Sequence, residues 1–141
     1  MRSRQTLHSL LIAALAAGLA IPAFADDAGL QPVHSGNITY VTGGFGQSEQ
    51  HALKAAAKDY NLEITNAIKS GAFTSGTNLL IQSAKGDKVL SVSDTGPLFY
   101  AKLPPGRYTI HAINGDETRV RDVTIGERKS ADLHLIWHQV G

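Results

Sequence analysis

Histidines, carboxylates and glycines are the residues from which this chain could build a site, and their spacing limits the chemistry. Beyond residue 25 the histidines are His34, His51, His111, His134 and His138. His134 and His138 have the spacing of a helical metal pair, but their segment alternates like a strand. Four residues of strand span roughly 13 Å, and one metal ion needs both nitrogens within about 2.1 Å. The pair therefore cannot chelate alone. Residues 134, 136 and 138 share one face, so a surface metal site would have to recruit His111 from a neighbouring strand. Solvated strand histidines are the plainer reading. The chain has no cysteine, which excludes disulfides, thiolate metal sites and thiol catalysis.

Gly43-Gly44-Phe45-Gly46 stands between a strand candidate and a helix, where a phosphate-binding loop would stand. No Lys-Ser or Lys-Thr pair follows, and Glu49 occupies the place of the third glycine in a dinucleotide fingerprint. The glycines read instead as a sharp entry into the helix. Asp94-Thr95-Gly96 has the letters of an aspartic protease, a chemistry that needs two carboxylates sharing a proton. A single copy would demand a symmetric dimer, and Pro97 spoils the continuation. A turn capped by the Asp94 side chain is expected. No serine stands in a Gly-x-Ser-x-Gly elbow. Trp137, Phe99 and Tyr100 would make a stacking platform for sugars, but Trp137 alternates in phase with Leu133 and Leu135, which favours the core. Tyr40 and Phe45 flank the glycine turn and are expected to be exposed. With Ser48 they are the candidate ligand contacts. No residue is assigned a catalytic, metal or cofactor role, and no cofactor is expected.

The elements that must hold these residues are mostly short strands. Residues 48–59 are rich in Ala, Lys, Gln and Glu, which favour helix. Ser48 is placed to cap that helix and Glu49 to complement its dipole. Leu53, Ala56, Ala57 and Tyr60 form its apolar stripe, too narrow for a helix that stands alone. From residue 61 the period changes to two. Strands are predicted over 38–41, 62–69, 77–84, 88–93, 98–103, 107–113, 117–125 and 131–138. Lys85-Gly86-Asp87 and Asn114-Gly115 are hairpin signals, and Pro104-Pro105-Gly106 predicts a type II turn. Tyr108, just after that turn, is placed for a tyrosine corner. The expected fold is mainly β: an antiparallel Greek-key sandwich of about seven strands with one short N-terminal α-helix.

Residues 1–25 read as a cleavable signal peptide. Arg2 and Arg4 precede an apolar run over residues 10–21, Pro22 breaks it, and Ala23 and Ala25 are the small residues at the cleavage positions. The run is about 12 residues, short of the roughly 20 that span a bilayer, so no stable membrane insertion is expected after cleavage. Residues 26–36 read as a flexible segment and 37–141 as a single sandwich domain. Loss of Arg2 and Arg4 takes the formal charge from +1 to −1. The charges are dispersed along the sequence, without a phosphate-tracking stripe, so nucleic acid is not an expected partner.

The segment Leu103-Pro104-Pro105-Gly106-Arg107-Tyr108-Thr109-Ile110, preceded by Gly86-Asp87-Lys88-Val89-Leu90 and followed by Asn114-Gly115, resembles the carboxypeptidase regulatory-like family. The resemblance covers roughly residues 71–137. It implies a transthyretin-like (prealbumin-like) sandwich over 70–141, with 37–69 as a strand-helix-strand lead-in. It also implies a non-catalytic module. Tyr40-Val41-Thr42-Gly43-Gly44, Glu49-Gln50 and Lys58-Asp59-Tyr60-Asn61-Leu62, behind a signal peptide, look like small exported proteobacterial proteins of unknown function.

The expected function is a non-enzymatic, exported binding or interaction module of the cell envelope. It would be periplasmic, or alternatively secreted, with an envelope protein or glycan as partner. The loops 43–48, 70–76 and 94–97 are its expected contact regions, since loops on a rigid sandwich carry binding. Two alternatives stand beside it. One is a carbohydrate-binding module by analogy of fold. The other is a small transthyretin-related hydrolase, which would need a pocket around His111 and His138.

Overall fold

A computed structural model of the chain describes residues 30–138. The segment read as a signal peptide, with Ala23 and Ala25, lies outside the described residues. Among the described residues nine strands and one α-helix follow in chain order. They are β1 (Val33–Ser35), β2 (Ile38–Gly43), α1 (Gln47–Ala56), β3 (Leu62–Ile68), β4 (Thr77–Ser83) and β5 (Lys88–Thr95). The rest are β6 (Leu98–Lys102), β7 (Gly106–Asn114), β8 (Glu117–Ile125) and β9 (Ala131–Trp137). One sheet has the order β1-β2-β6-β3-β9 and the other β5-β4-β7-β8.

This is the expected mainly-β sandwich, with two additions. Val33–Ser35, expected to lie in a flexible segment, pairs with β2 across a turn at Gly36, whose φ of +63° suits glycine. The pairing between β3 and β9 is parallel, from Leu62 opposite Ala131 to Ile68 opposite Trp137. All other strand pairs are antiparallel. The strand-helix-strand lead-in is integral to the sheet, because β6 lies between β2 and β3.

Alternation places Leu62, Ile64, Leu79, Ile81, Phe99, Ile110, Leu135 and Trp137 between the sheets, all buried. Trp137 is core, as its phase with Leu133 and Leu135 predicts. Its indole N–H donates to Asn66 Oδ1 at 3.0 Å, which gives the buried indole a partner. Asn66 thus takes an inward position that pure hydrophobic alternation would have filled with an apolar residue.

Helix α1 packs Leu53 onto Val41, Leu98 and Tyr100 on the outer face of the first sheet, with Ala57 and Tyr60 at the margin. The helix begins at Gln47 behind Gly46, and no side chain caps it. The expected cap by Ser48 does not form, because Ser48 lies inside the first turn. A 3-10 turn, Ala57–Asp59, ends the segment.

The turns depart from expectation in instructive ways. Gly106 is already part of β7 instead of the second central residue of a type II turn. The connection is held by the Tyr108 hydroxyl, which donates to the Pro104 carbonyl at 2.6 Å, the predicted tyrosine corner. In the β7–β8 hairpin the central pair is Gly115 and Asp116, with Gly115 at φ +61°. Asn114 is a buried strand residue that donates to Ser75 O and Thr77 Oγ1. Asp94 does not cap a turn with its side chain. It sits in the left-handed region at φ 56° within a register shift between β4 and β5, its N–H donating to Asn78 Oδ1 at 2.8 Å.

Candidate functional site

The antiparallel connections sort the loops onto two poles. One pole carries the glycine turn 43–46, the loop 69–76 and the turn at Gly96-Pro97. Four bonds interlock them. Thr42 Oγ1 donates to Leu98 O at 2.7 Å and accepts from Gly96 N at 2.9 Å. Gly76 N donates to Thr95 O and Asn66 N to Pro97 O. Gly96 packs so closely that a Cβ there would meet the Gly43 carbonyl oxygen at 2.6 Å.

The glycine turn is filled by the chain's own carboxylate. Glu49 Oε1 accepts the N–H groups of Gly44 at 2.7 Å and Phe45 at 3.0 Å, and the Gln50 amide donates to Gly44 O at 2.9 Å. The amides that would cradle a phosphate are therefore occupied, and the glycines serve the helix entry. Gly44 has φ +100°, which requires glycine. The consequence for function is the position of Phe45. Its backbone is pinned by Glu49 while its ring is 70% exposed. Phe73, 38% exposed, stands on the neighbouring loop, where it bridges to Ala67.

Of the three residues proposed as ligand contacts, Phe45 and Ser48 are exposed. Tyr40 is half-buried, and its ring stacks on Phe99 at 5.5 Å between centroids. The platform of Trp137, Phe99 and Tyr100 does not exist as a surface, because all three are buried.

The histidines do not converge. His111 faces outward from β7, with Nε2 2.9 Å from Gln82 Oε1. His138 follows β9, and its Nδ1 lies 3.0 Å from Glu117 Oε1. Glu117 also holds the Arg119 guanidinium at 2.8 Å, and Arg119 lies 5.0 Å over the Trp137 ring and donates to Ile136 O. This group closes the mouth of the sandwich beside the core tryptophan. His134 projects from the first sheet, 3.5 Å from Asp132. Among the described residues no three or more metal-ligating groups are arranged to hold an ion. Beside Asp132 stands Glu63, its carboxyl raised above the ordinary range by burial and by the Asp132 charge, with His134 opposing. Burial, with the charges of Glu63 and Asp132, likewise raises the Tyr100 phenol.

The opposite pole holds a feature that no motif announced. Lys58, Lys102, Arg128 and Lys129 line one cleft of about 220 Å³, with Tyr60, Asn61 and a single acid, Glu127. These cations are scattered along the chain. Antiparallel folding gathers them because each stands at a strand end or turn on the same side of the sandwich. Knowledge of which connections share a pole would have found them; local spacing could not. A shallow groove of about 450 Å³ borders Arg107, Thr109 and Asp122 nearby.

No helix among the described residues is long and apolar enough to cross a membrane. No protein-family model matches the chain, and no curated protein matches it. Among solved structures it is similar to one titled "The Bacillus anthracis TIE protein", at 18% identity and a TM-score of 0.40. That likeness covers 55% of this chain, which spans 15% of the other.

Proposed function

We propose that this chain is a non-enzymatic, exported module of the cell envelope that binds an envelope protein through the pole carrying the glycine turn. We assign it to the carboxypeptidase regulatory-like, transthyretin-like sandwiches on the segment 103–110 and its tyrosine corner. The observation that carries the binding reading is Phe45. A phenylalanine in water forgoes about 1.5–3 kcal/mol of burial. Here it is also held at a fixed place by a charge-assisted bond to its own amide. Fixing a contact residue in advance reduces the ordering cost of association, and aromatic anchors dominate interface energies. Phe73 is a second exposed aromatic residue at the same pole.

A photo-reactive phenylalanine analogue at position 45 tests this reading in cells. Irradiation should yield one defined protein adduct in the envelope fraction. The same analogue at Lys54, exposed on α1, should not yield it. No adduct at position 45, or the same adducts from both positions, would reject the reading. An adduct with glycan strands instead of protein would favour the carbohydrate-binding alternative.

A further inference from the structure

We propose that the cleft lined by Lys58, Lys102, Arg128 and Lys129 is an anion site for a phosphate group, separate from the surface around Phe45. Three observations support it. First, the walls are braced independently of the cations. Asn61 donates its side-chain amide to Leu103 O and accepts from Leu103 N, both at 2.8 Å. Its backbone N–H donates to Ala101 O, and its carbonyl accepts from Ala131 N. One residue thereby joins the entry to β3, the exit of β6 and the start of β9. The fourth wall, the loop 126–130, is closed by Gly126 N donating to Lys129 O at 3.0 Å.

Second, the cations are not spent on protein acids. Among the described residues none of the four has an ion-pair or side-chain hydrogen-bond partner. Glu127 is the one acid lining the cleft and Asp59 stands in the adjoining turn, so positive charge is in excess within it. The excess is local: Lys85, Lys88 and Arg107 stand at the same pole with Asp87 and Asp122, and Glu63 and Asp132 face each other two residues beyond Asn61 and Ser130. Like charges held together oppose folding, and a bound anion relieves that cost.

Third, size and chemistry select the ligand. At about 220 Å³ the cleft is smaller than the roughly 300–1,000 Å³ typical of drug-sized ligands. It suits one small, multiply charged head. The Arg128 guanidinium offers a planar fork suited to two phosphate oxygens, while lysines act as point charges. Tyr60 adds a phenol that burial and the Asp59 charge keep protonated, able to donate and not repel. A carboxylate carries one charge where a phosphate monoester carries nearly two, so phosphate is the better match. Free phosphate and a phosphate borne on a lipid headgroup share this chemistry.

The full mature chain, isotope-labelled, should be titrated with inorganic phosphate at low ionic strength and followed by amide chemical shifts. In parallel it should be sedimented with vesicles of phosphatidic acid in phosphatidylcholine, and with phosphatidylcholine alone. Saturable shifts confined to residues 58–61, 102 and 126–130 are expected. Binding to the acidic vesicles only would identify a headgroup as the source; shifts without vesicle binding would identify free phosphate. The double variant Lys102→Gln, Arg128→Gln should weaken binding at least tenfold, with a melting temperature in phosphate-free buffer no lower than that of the wild type, since it removes like-charge repulsion. Phe45→Ala should leave it unchanged, which separates this site from the proposed protein contact. No saturable response to either probe, or a response that the double variant retains, would overturn the proposal.

Discussion

Glu49 places one carboxylate oxygen 2.7 Å from the amide nitrogen of Gly44, five residues earlier, and 3.0 Å from that of Phe45. The helix thereby reaches back to hold the turn that leads into it. Hydrogen bonds to a charged acceptor contribute about 1.5–3 kcal/mol. Glu49→Ala should lower stability by about 2 kcal/mol in urea unfolding. It should also speed amide exchange at Gly44 and Phe45 with little change in the β7–β8 hairpin. Unchanged exchange at those two amides would show that the carboxylate does not fix the loop.

Gly96 abuts the Gly43 carbonyl. Gly96→Ala would force backbone against backbone, and overpacking of this kind costs about 1–3 kcal/mol. The variant should be destabilised by that amount in thermal or urea unfolding. Its chemical-shift changes should cluster at residues 42–46 and 95–98. A neutral effect would mean the two turns are not in contact in solution.

The tyrosine corner makes a different prediction. Tyr108→Phe keeps the ring and removes the hydroxyl that donates to Pro104 O. The loss should be about 1 kcal/mol, within the 0.5–1.5 kcal/mol typical of one hydrogen bond. Because Gly106 does not close a type II turn, no other bond compensates at that hydroxyl's position, so a zero effect would contradict the corner's role.

Glu63 gives a pH dependence of definite sign. Its folded-state carboxyl titrates above the unfolded value, chiefly through burial and then through Asp132. Between the two values the folded state binds more protons than the unfolded one, so this group's contribution falls as pH rises. Its cost is fully present above the raised folded-state value and is relieved as pH drops through it. Glu63→Gln should therefore stabilise the protein at neutral pH, and the advantage should vanish in acid. Melting temperatures of the two proteins across pH would show it; curves that run parallel would refute it.

The periodicity made the strands legible because alternation in this chain reports burial directly. Glu117–Ile125 occupies the predicted positions, and Leu62–Ile68 ends one residue short of the predicted 62–69. What escaped was whatever depends on distant partners. Val33–Ser35 is exposed throughout and is a strand only because β2 offers it an edge. The parallel docking of β9 on β3 leaves no local mark. Ser48 has the right chemistry for a cap but the wrong place, since Glu49 tightens the turn from one residue further on. The exposed ring of Phe45 was anticipated from its flanking glycines, whereas Tyr40 lies where alternation draws it toward Phe99. The basic cleft was invisible for the same reason as β9: its members meet only when the sheets close.

The central claim is that Phe45 anchors a partner. The most direct measurement is the affinity of the purified protein without residues 1–25 for isolated envelope vesicles, wild type against Phe45→Ala, with melting temperature as the control. The account predicts at least a tenfold loss of affinity, about 1.4 kcal/mol, at unchanged melting temperature. Equal affinity of the two proteins would contradict it.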